Sequence, residues 1–267
     1  MYESIEMIVR SAGEIVRGAT HIDESVQEKT SHCDLVTKYD GMVQEYLRKE
    51  LLTAFPEAGF YGEEEEVHDI AGKAAYFIVD PIDGTMNFVR HAKHSCISVG
   101  LMQDGVMEYG AVYQPYTDEM FTARRGHGAF LNGRPIRMRD VPLSESIAMF
   151  GSAIYYRDTI PATARLMQET LPLILDFRRS GSAALDICYV AAGRADVFFE
   201  ACIRPWDYAA ATLIAQEAGG IASALDGTPL RYIDRCSVAV GSPSNYPELI
   251  TIVRRILNEQ DMKGRIK

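Results

Sequence analysis

The run Asp80-Pro81-Ile82-Asp83-Gly84-Thr85-Met86-Asn87-Phe88 holds residue types that bind a cation and an anion side by side. The apolar stretch Ala75-Tyr76-Phe77-Ile78-Val79 before it reads as a buried strand stopping at Asp80-Pro81. Pro81 fixes the backbone, so Asp80 and Asp83 bracket a tight turn with the Ile82 carbonyl between them. Two carboxylates and a carbonyl are hard oxygen donors, the set Mg²⁺ prefers. Gly84 and Thr85 then present backbone N–H groups at a helix start, which suits a phosphate oxygen. A lone D-x-x-D is more often an Asp-capped turn, but the full run is far less ordinary. Two further segments carry acids: Gly62-Glu63-Glu64-Glu65-Glu66, and Pro205-Trp206-Asp207 opening a helix. Alone, the first reads as a solvated charge run and the second as a helix cap. Cation chemistry requires the three segments to meet in space.

The elements that must bring them together are legible in outline. Ile5, Ile8, Val9, Ala12, Ile15, Val16 and Ala19 predict an amphipathic first helix, and residues 20–33 a polar loop. Met42, Val43, Tyr46, Leu47 and Leu51 predict a second helix, ended before Pro56. Ser95–Gln103, Val106–Gln114 and Glu119–Ala123 predict an antiparallel meander, with a hairpin turn at Asn132-Gly133. Then come helices at 161–170 and Ala184–Ala192, and a strand at Ala195–Glu200. A helix at Asp207–Ala218, a strand at Ser237–Gly241 and a helix at Glu248–Asn258 complete the pattern, Leu249, Ile250, Val253 and Leu257 sharing one face. Helices and sheets mixed throughout imply layers of both packed together.

Composition narrows the function. The chain has 267 residues, 47% apolar and 24% charged, ample for a substantial core. Its net charge of −10 is unsuited to gripping nucleic acid or anionic lipid by electrostatics alone. An anionic substrate therefore needs a local device to reverse the field, and a metal beside backbone amides is one. Cys33, Cys96, Cys188, Cys202 and Cys236 are odd in number and lack C-x-x-C spacing, so buried inert thiols in a reducing compartment are expected. The N-terminus lacks a basic-then-apolar signal pattern, and no run approaches the ~18 apolar residues of a membrane span. The expectation is a cytoplasmic protein.

Asp80–Phe88 resembles the D-P-I-D-G-T-x-N-F signature of the inositol monophosphatase family. Trp206-Asp207-Tyr208-Ala209-Ala210, with Glu217-Ala218-Gly219-Gly220 downstream, resembles its second signature. Gly62-Glu63-Glu64 is similar to its G-E-E element, and Asp34-Leu35-Val36-Thr37-Lys38-Tyr39-Asp40 to its D-L-V-T-x-x-D segment. Gly181-Ser182-Ala183-Ala184 to Gly193-Arg194-Ala195-Asp196 is family-like too, so the resemblance runs from about residue 30 to 220.

The resemblance implies an α/β fold, a layered α/β/α/β/α sandwich in one domain of two closely packed halves, about 1–145 and 146–267. It implies Mg²⁺-dependent, lithium-sensitive hydrolysis of a phosphate monoester, and a homodimer. Carried over by position, Glu63, Asp80, Asp83, Asp207 and the Ile82 carbonyl would hold two or three Mg²⁺ ions. Asp40 and Thr85 would orient and deprotonate the attacking water, and the Gly84 and Thr85 amides would hold the phosphate. Glu200 would accept a substrate hydroxyl, and the Gly181-Ser182-Ala183 backbone would line the ring pocket; Glu64 would act from behind Glu63. Inositol-1-phosphate leads as substrate. Fructose-1,6-bisphosphate and 3′-phosphoadenosine 5′-phosphate or NADP(H) are alternatives on the same metal core, and a non-enzymatic metal-binding scaffold is the alternative of another class.

Other residues read as structural. Glu65 and Glu66 are expected to be exposed solubility charges. His91 and His94 have helical zinc spacing, but Arg90 and Lys93 disfavour a cation there. Trp206 reads as core or wall and Tyr155-Tyr156 as packing. Arg178-Arg179 reads as a solvated pair, an interface or a phosphate contact.

Overall fold

The computed structural model describes residues 2–65 and 68–265. The first layer pairs two helices. α1 (Tyr2–Arg17) buries Ile5, Val9, Ala12 and Val16 along one stripe. The expected loop after it contains a 3₁₀ turn (Ile22–Ser25) and a small hairpin, β1 (Gln27–Glu28) with β2 (Leu35–Val36). α2 (Lys38–Ala54) follows, capped by Thr37 and burying Val43, Leu47 and Leu51.

Seven strands form the second layer: β3 (Gly59–Gly62), β4 (Ala75–Asp83), β5 (Cys96–Gln103), β6 (Val106–Gln114), β7 (Glu119–Arg124), β8 (Ala129–Leu131) and β9 (Arg134–Ile136), adjacent in that order. Only β3–β4 is parallel. A short helix, α3 (Thr85–Val89), leaves the end of β4.

The second half begins with β10 (Ile147–Phe150), α4 (Ile160–Thr170), β11 (Asp176–Arg178) and α5 (Ala183–Ala191). It continues with β12 (Val197–Ile203), α6 (Pro205–Glu217), β13 (Ile221–Ser223), β14 (Cys236–Gly241) and α7 (Tyr246–Arg265). Its sheet has the order β11-β10-β12-β14-β13. α5 and α6 lie between the two sheets, and α4 and α7 cover the outer face of the second. The result is the α/β/α/β/α sandwich. Leu257 lies outside the residues whose side chains are described.

Two departures from the expected elements matter for the site. β4 does not stop at Asp80-Pro81 but runs to Asp83 through a bulge. Asp80 faces Ser98 and Asp83 faces Cys96, so β4 spends one extra residue there. Pro81 is tolerated because β3 pairs with β4 only as far as Val79. β12 likewise runs past Glu200 to Ile203 with its own register shift. The strands β3, β10, β11 and β13 have three or four residues each, too short for periodicity to reveal.

α6 is the helix that carries Asp207, and it is buried on all sides from Tyr208 to Ala215. It sits tightly on the first sheet. A Cβ at Gly110 of β6 would stand 2.6 Å from the Ala210 carbonyl oxygen and 3.1 Å from its Cα. Backbone atoms cannot yield as a side chain does. Gly110→Ala should therefore cost about 1–3 kcal/mol by overpacking. A calorimetric scan should show the melting point about 3–10 °C lower.

Candidate active site

Three carboxylates converge where β4 ends and α6 begins. Asp80 and Asp83 flank the β4 bulge, and Asp207 is the third residue of α6. Each offers an oxygen within 4.8 Å of the other two. Neighbouring donors fix their orientation. Ile82 N–H donates to Asp80 Oδ1 (2.9 Å), and Arg204 N–H to Asp207 Oδ2 (3.0 Å). Asp83 Oδ2 accepts from Ser182 Oγ and Ala184 N–H, both at 2.7 Å, so its other oxygen is left for the cluster.

Burial raises all three pKa values. The charges of Glu63, Asp83 and Asp207 add to it at Asp80, and those of Asp83 and Glu63 at Asp207, both well above the carboxylate range. Burial lifts Asp83 to about 6 despite the Ser182 and Ala184 hydrogen bonds. An all-oxygen acidic set that repels itself is matched to a hard divalent cation.

Asp40 serves as cap and as partner at once. Its Oδ2 accepts from Thr37 N–H (2.7 Å) and Thr37 Oγ1 (2.6 Å), closing a capping box on α2. Its Oδ1 faces Thr85 Oγ1 at 3.3 Å, and the same hydroxyl lies 3.0 Å from the Ile82 carbonyl. Burial raises Asp40 to about 6, opposed by the Thr37 hydrogen bonds.

These groups open on a cleft of about 270 Å³. Ile82, Gly84, Thr85, Gly181, Ser182, Ala183, Glu63 and Glu200 line it together with the three aspartates, whereas Asp40 stands behind Thr85. Gly84 takes φ +91°, and a Cβ there would approach the His94 and Gly181 carbonyls at 3.1 and 3.2 Å. The turn that starts α3 thus packs directly on the Gly181 segment. Asn87 ties the two together, donating to the carbonyls of His94 (2.7 Å) and Ser180 (2.9 Å).

Glu63 is not a member of the three-carboxylate cluster. Lys29, next to β1, donates to Glu63 Oε1 (2.8 Å) and also bonds Glu64. Burial opposes the Lys29 charge, but the two glutamates outweigh it and hold its pKa above the usual lysine value. Glu65 is not an exposed solubility charge: it is half-buried and paired with Arg48. Glu66 lies outside the described residues.

Tyr155 and Arg179 line the cleft, while exposed Arg178 pairs with Asp176. Cys33 also lines it and, like Cys236, is only half-buried, unlike Cys96, Cys188 and Cys202. Trp206 packs edge-on against Tyr61. His91 is exposed at φ 54°, and His94 packs on Tyr189.

The profile of the Inositol monophosphatase family matches residues 1–258. The chain belongs to this family. Inositol monophosphatase 1 of Sus scrofa is 35% identical over 246 residues, covering 87% of this chain and 86% of that one. A Nus factor SuhB of Xylella fastidiosa is 36% identical, covering 84% and 82%. The SaIMPase-II structure with bound inositol monophosphate superposes with a TM-score of 0.83 at 28% identity, covering 100% and 99%. An IMPase/NADP phosphatase complexed with Mg²⁺ and phosphate gives 0.77 at 26%, covering 85% of each chain. Inositol monophosphatase relatives thus include both phosphatases and proteins named for a Nus factor. Among the described residues, no helix is long and apolar enough to cross a membrane.

Proposed function

We propose that this chain hydrolyses a polyol phosphate monoester of the inositol-1-phosphate kind in a Mg²⁺-dependent reaction. The observation that carries the reading is the meeting of Asp80, Asp83 and Asp207 within 4.8 Å, in one cleft with Gly84, Thr85 and Glu200. Those three carboxylates and the Ile82 carbonyl would hold the metal, with Glu63 extending the set to a second or third ion on leaving Lys29. Bound Mg²⁺ supplies charge neutralisation of the phosphoryl oxygens and a more acidic water. The Gly84 and Thr85 amides orient the phosphate at the start of α3, where N–H groups lack intrahelical acceptors. Thr85 Oγ1 takes the proton of the attacking water as it passes its own to Asp40, which must be ionised to receive it. Glu200 accepts a ring hydroxyl, and the Gly181–Ala183 backbone walls the ring.

The lining favours a monophosphate. Seven acidic residues (Asp34, Glu63, Asp80, Asp83, Asp186, Glu200, Asp207) line the cleft with a single basic one, Arg179, among the described residues. A second phosphate would have few partners there. Phosphate release from inositol-1-phosphate, fructose-1,6-bisphosphate, 3′-phosphoadenosine 5′-phosphate and NADP⁺, with Mg²⁺ and then with EDTA, tests this. Inositol-1-phosphate should turn over fastest and EDTA should stop it. Release that survives EDTA, or preference for a bisphosphate, would refute the reading. The Nus factor name of several relatives supports a second reading, a binding protein that keeps the metal site; no turnover of any ester with Mg²⁺ would favour it. The proposal extends to a homodimer, measurable by light scattering.

Asp40 gives the pH dependence its sign. Activity requires the ionised form, so kcat/KM should fall about tenfold per pH unit below its pKa. That limb is expected at or below about pH 6, because bound cations favour ionised Asp40. Asp40→Asn should lower kcat by about 10²–10⁴-fold. A wild-type rate in that variant would remove Asp40 from the proton path.

A further inference from the structure

Gly151 follows β10 directly, and its N–H donates to the Phe199 carbonyl at 3.1 Å. Phe150 and Phe199 are partners in the parallel β10–β12 register, so Gly151 and Glu200 are the next residues along the two strands. The Glu200 carboxylate lies against Gly151. A Cβ on Gly151 would stand 1.9 Å from Glu200 Oε2, 2.3 Å from Cδ and 2.7 Å from Oε1. The backbone at Gly151 is outside the left-handed region, so what this position requires is the absence of a side chain, not glycine's conformational range. Glu200 is 6% exposed, and among the described residues no group hydrogen-bonds its carboxylate. Its acceptor capacity is therefore directed at what enters the cleft that it lines.

We propose that Gly151 is the seat that fixes the position of the Glu200 carboxylate and so sets selectivity for esters carrying a hydroxyl. This rests on the reading of Glu200 as hydroxyl acceptor. A methyl group at 151 needs the space the carboxylate occupies. The far end of Glu200 is the part able to move, and the cleft is the space open to it. The displaced carboxylate would then stand where the ring should lie. Gly151 is a positioning residue: it acts on the substrate through Glu200.

The readout is kcat/KM for inositol-1-phosphate divided by that for phenyl phosphate, which has no ring hydroxyl, with Mg²⁺ saturating. Gly151→Ala should lower this ratio about tenfold or more, the scale of a lost hydrogen bond to a charged group. The same change in a Glu200→Ala background should lower it no further, a non-additivity expected only of coupled neighbours. Glu200→Asp, which withdraws the carboxylate by one methylene, should restore part of the ratio in the Gly151→Ala chain.

A ratio unchanged by Gly151→Ala, or one falling equally with and without Glu200, would overturn the seat and leave the hydroxyl reading standing. A ratio unchanged by Glu200→Ala alone would overturn the hydroxyl reading and the seat's selectivity role with it. If Gly151→Ala fails to fold, Gly151→Ala/Glu200→Ala must fold, because the new methyl then has room; failure of that pair also overturns the proposal.

Discussion

Asp83→Asn should lower kcat by about three orders of magnitude while the protein stays folded. Asp83 uses one oxygen to accept from Ser182 Oγ and Ala184 N–H, which are both donors. An asparagine should turn its carbonyl oxygen toward them, because the Ala184 N–H cannot accept from an amide NH₂ and the Ser182 hydroxyl already accepts from Leu185 N–H. The NH₂ then faces Asp80 and Asp207, where the proposal needs an anionic ligand. The change removes a charge and inserts a donor that cannot coordinate. A loss of about 4 kcal/mol in transition-state stabilisation corresponds to about 10³ in rate. Phosphate release from inositol-1-phosphate at saturating Mg²⁺ measures it, with circular dichroism as the folding control. Turnover within tenfold of wild type would remove Asp83 from the metal set.

The second large effect concerns stability. Without divalent ions, the protein should melt at a higher temperature at pH 5 than at pH 8. Burial raises the pKa of Asp40, Glu64, Asp80, Asp83, Asp186, Glu200 and Asp207. A carboxyl whose folded pKa exceeds its unfolded value binds more protons when folded, so its contribution falls as pH rises through the folded pKa. For Asp40 and Asp83 the window closes at about 6, and for Glu64 and Asp186 at about 7; Asp80, Glu200 and Asp207 are shifted in the same direction. Burial lowers the pKa of His68 and His94, which works in the opposite direction, but they are two half-buried groups against seven carboxyls.

Mg²⁺ should act more strongly at pH 8 than at pH 5, because its carboxylate ligands must lose their protons to bind it. At one hundred times its Kd it would add about 2.7 kcal/mol and raise the melt by about 5–10 °C. Scanning calorimetry at both pH values, with EDTA or Mg²⁺, checks the pair of statements. A melt indifferent to Mg²⁺ would count against the metal site.

How much of this was legible in the sequence depended on the range of the contact. Asp80, Asp83, Gly84 and Thr85 lie within six residues, and backbone chemistry alone put them at one turn. Asp207 and Gly181–Ala183 were reached through the family signatures, and both line the cleft. The extension of β4 past Pro81 was not legible, since proline's local effect suggests a stop and only the missing β3 partner permits continuation. Lys29 carried no signal in a polar loop, yet it claims Glu63 from 34 residues away. Gly151 was equally silent. Its importance exists only once β10 and β12 lie in register and the Glu200 carboxylate needs its space.

The position of α6 bears on attempts to engineer the chain. The helix contacts strands of both sheets and presents Asp207 at its first turn, so robustness and reactivity share one rod. A change of volume at Ala209, Ala210 or Ala211 would tilt a carboxylate as well as disturb the interior. Substitutions meant to harden the protein against heat therefore belong on the outward sides of α1, α4 and α7, where errors cost stability alone.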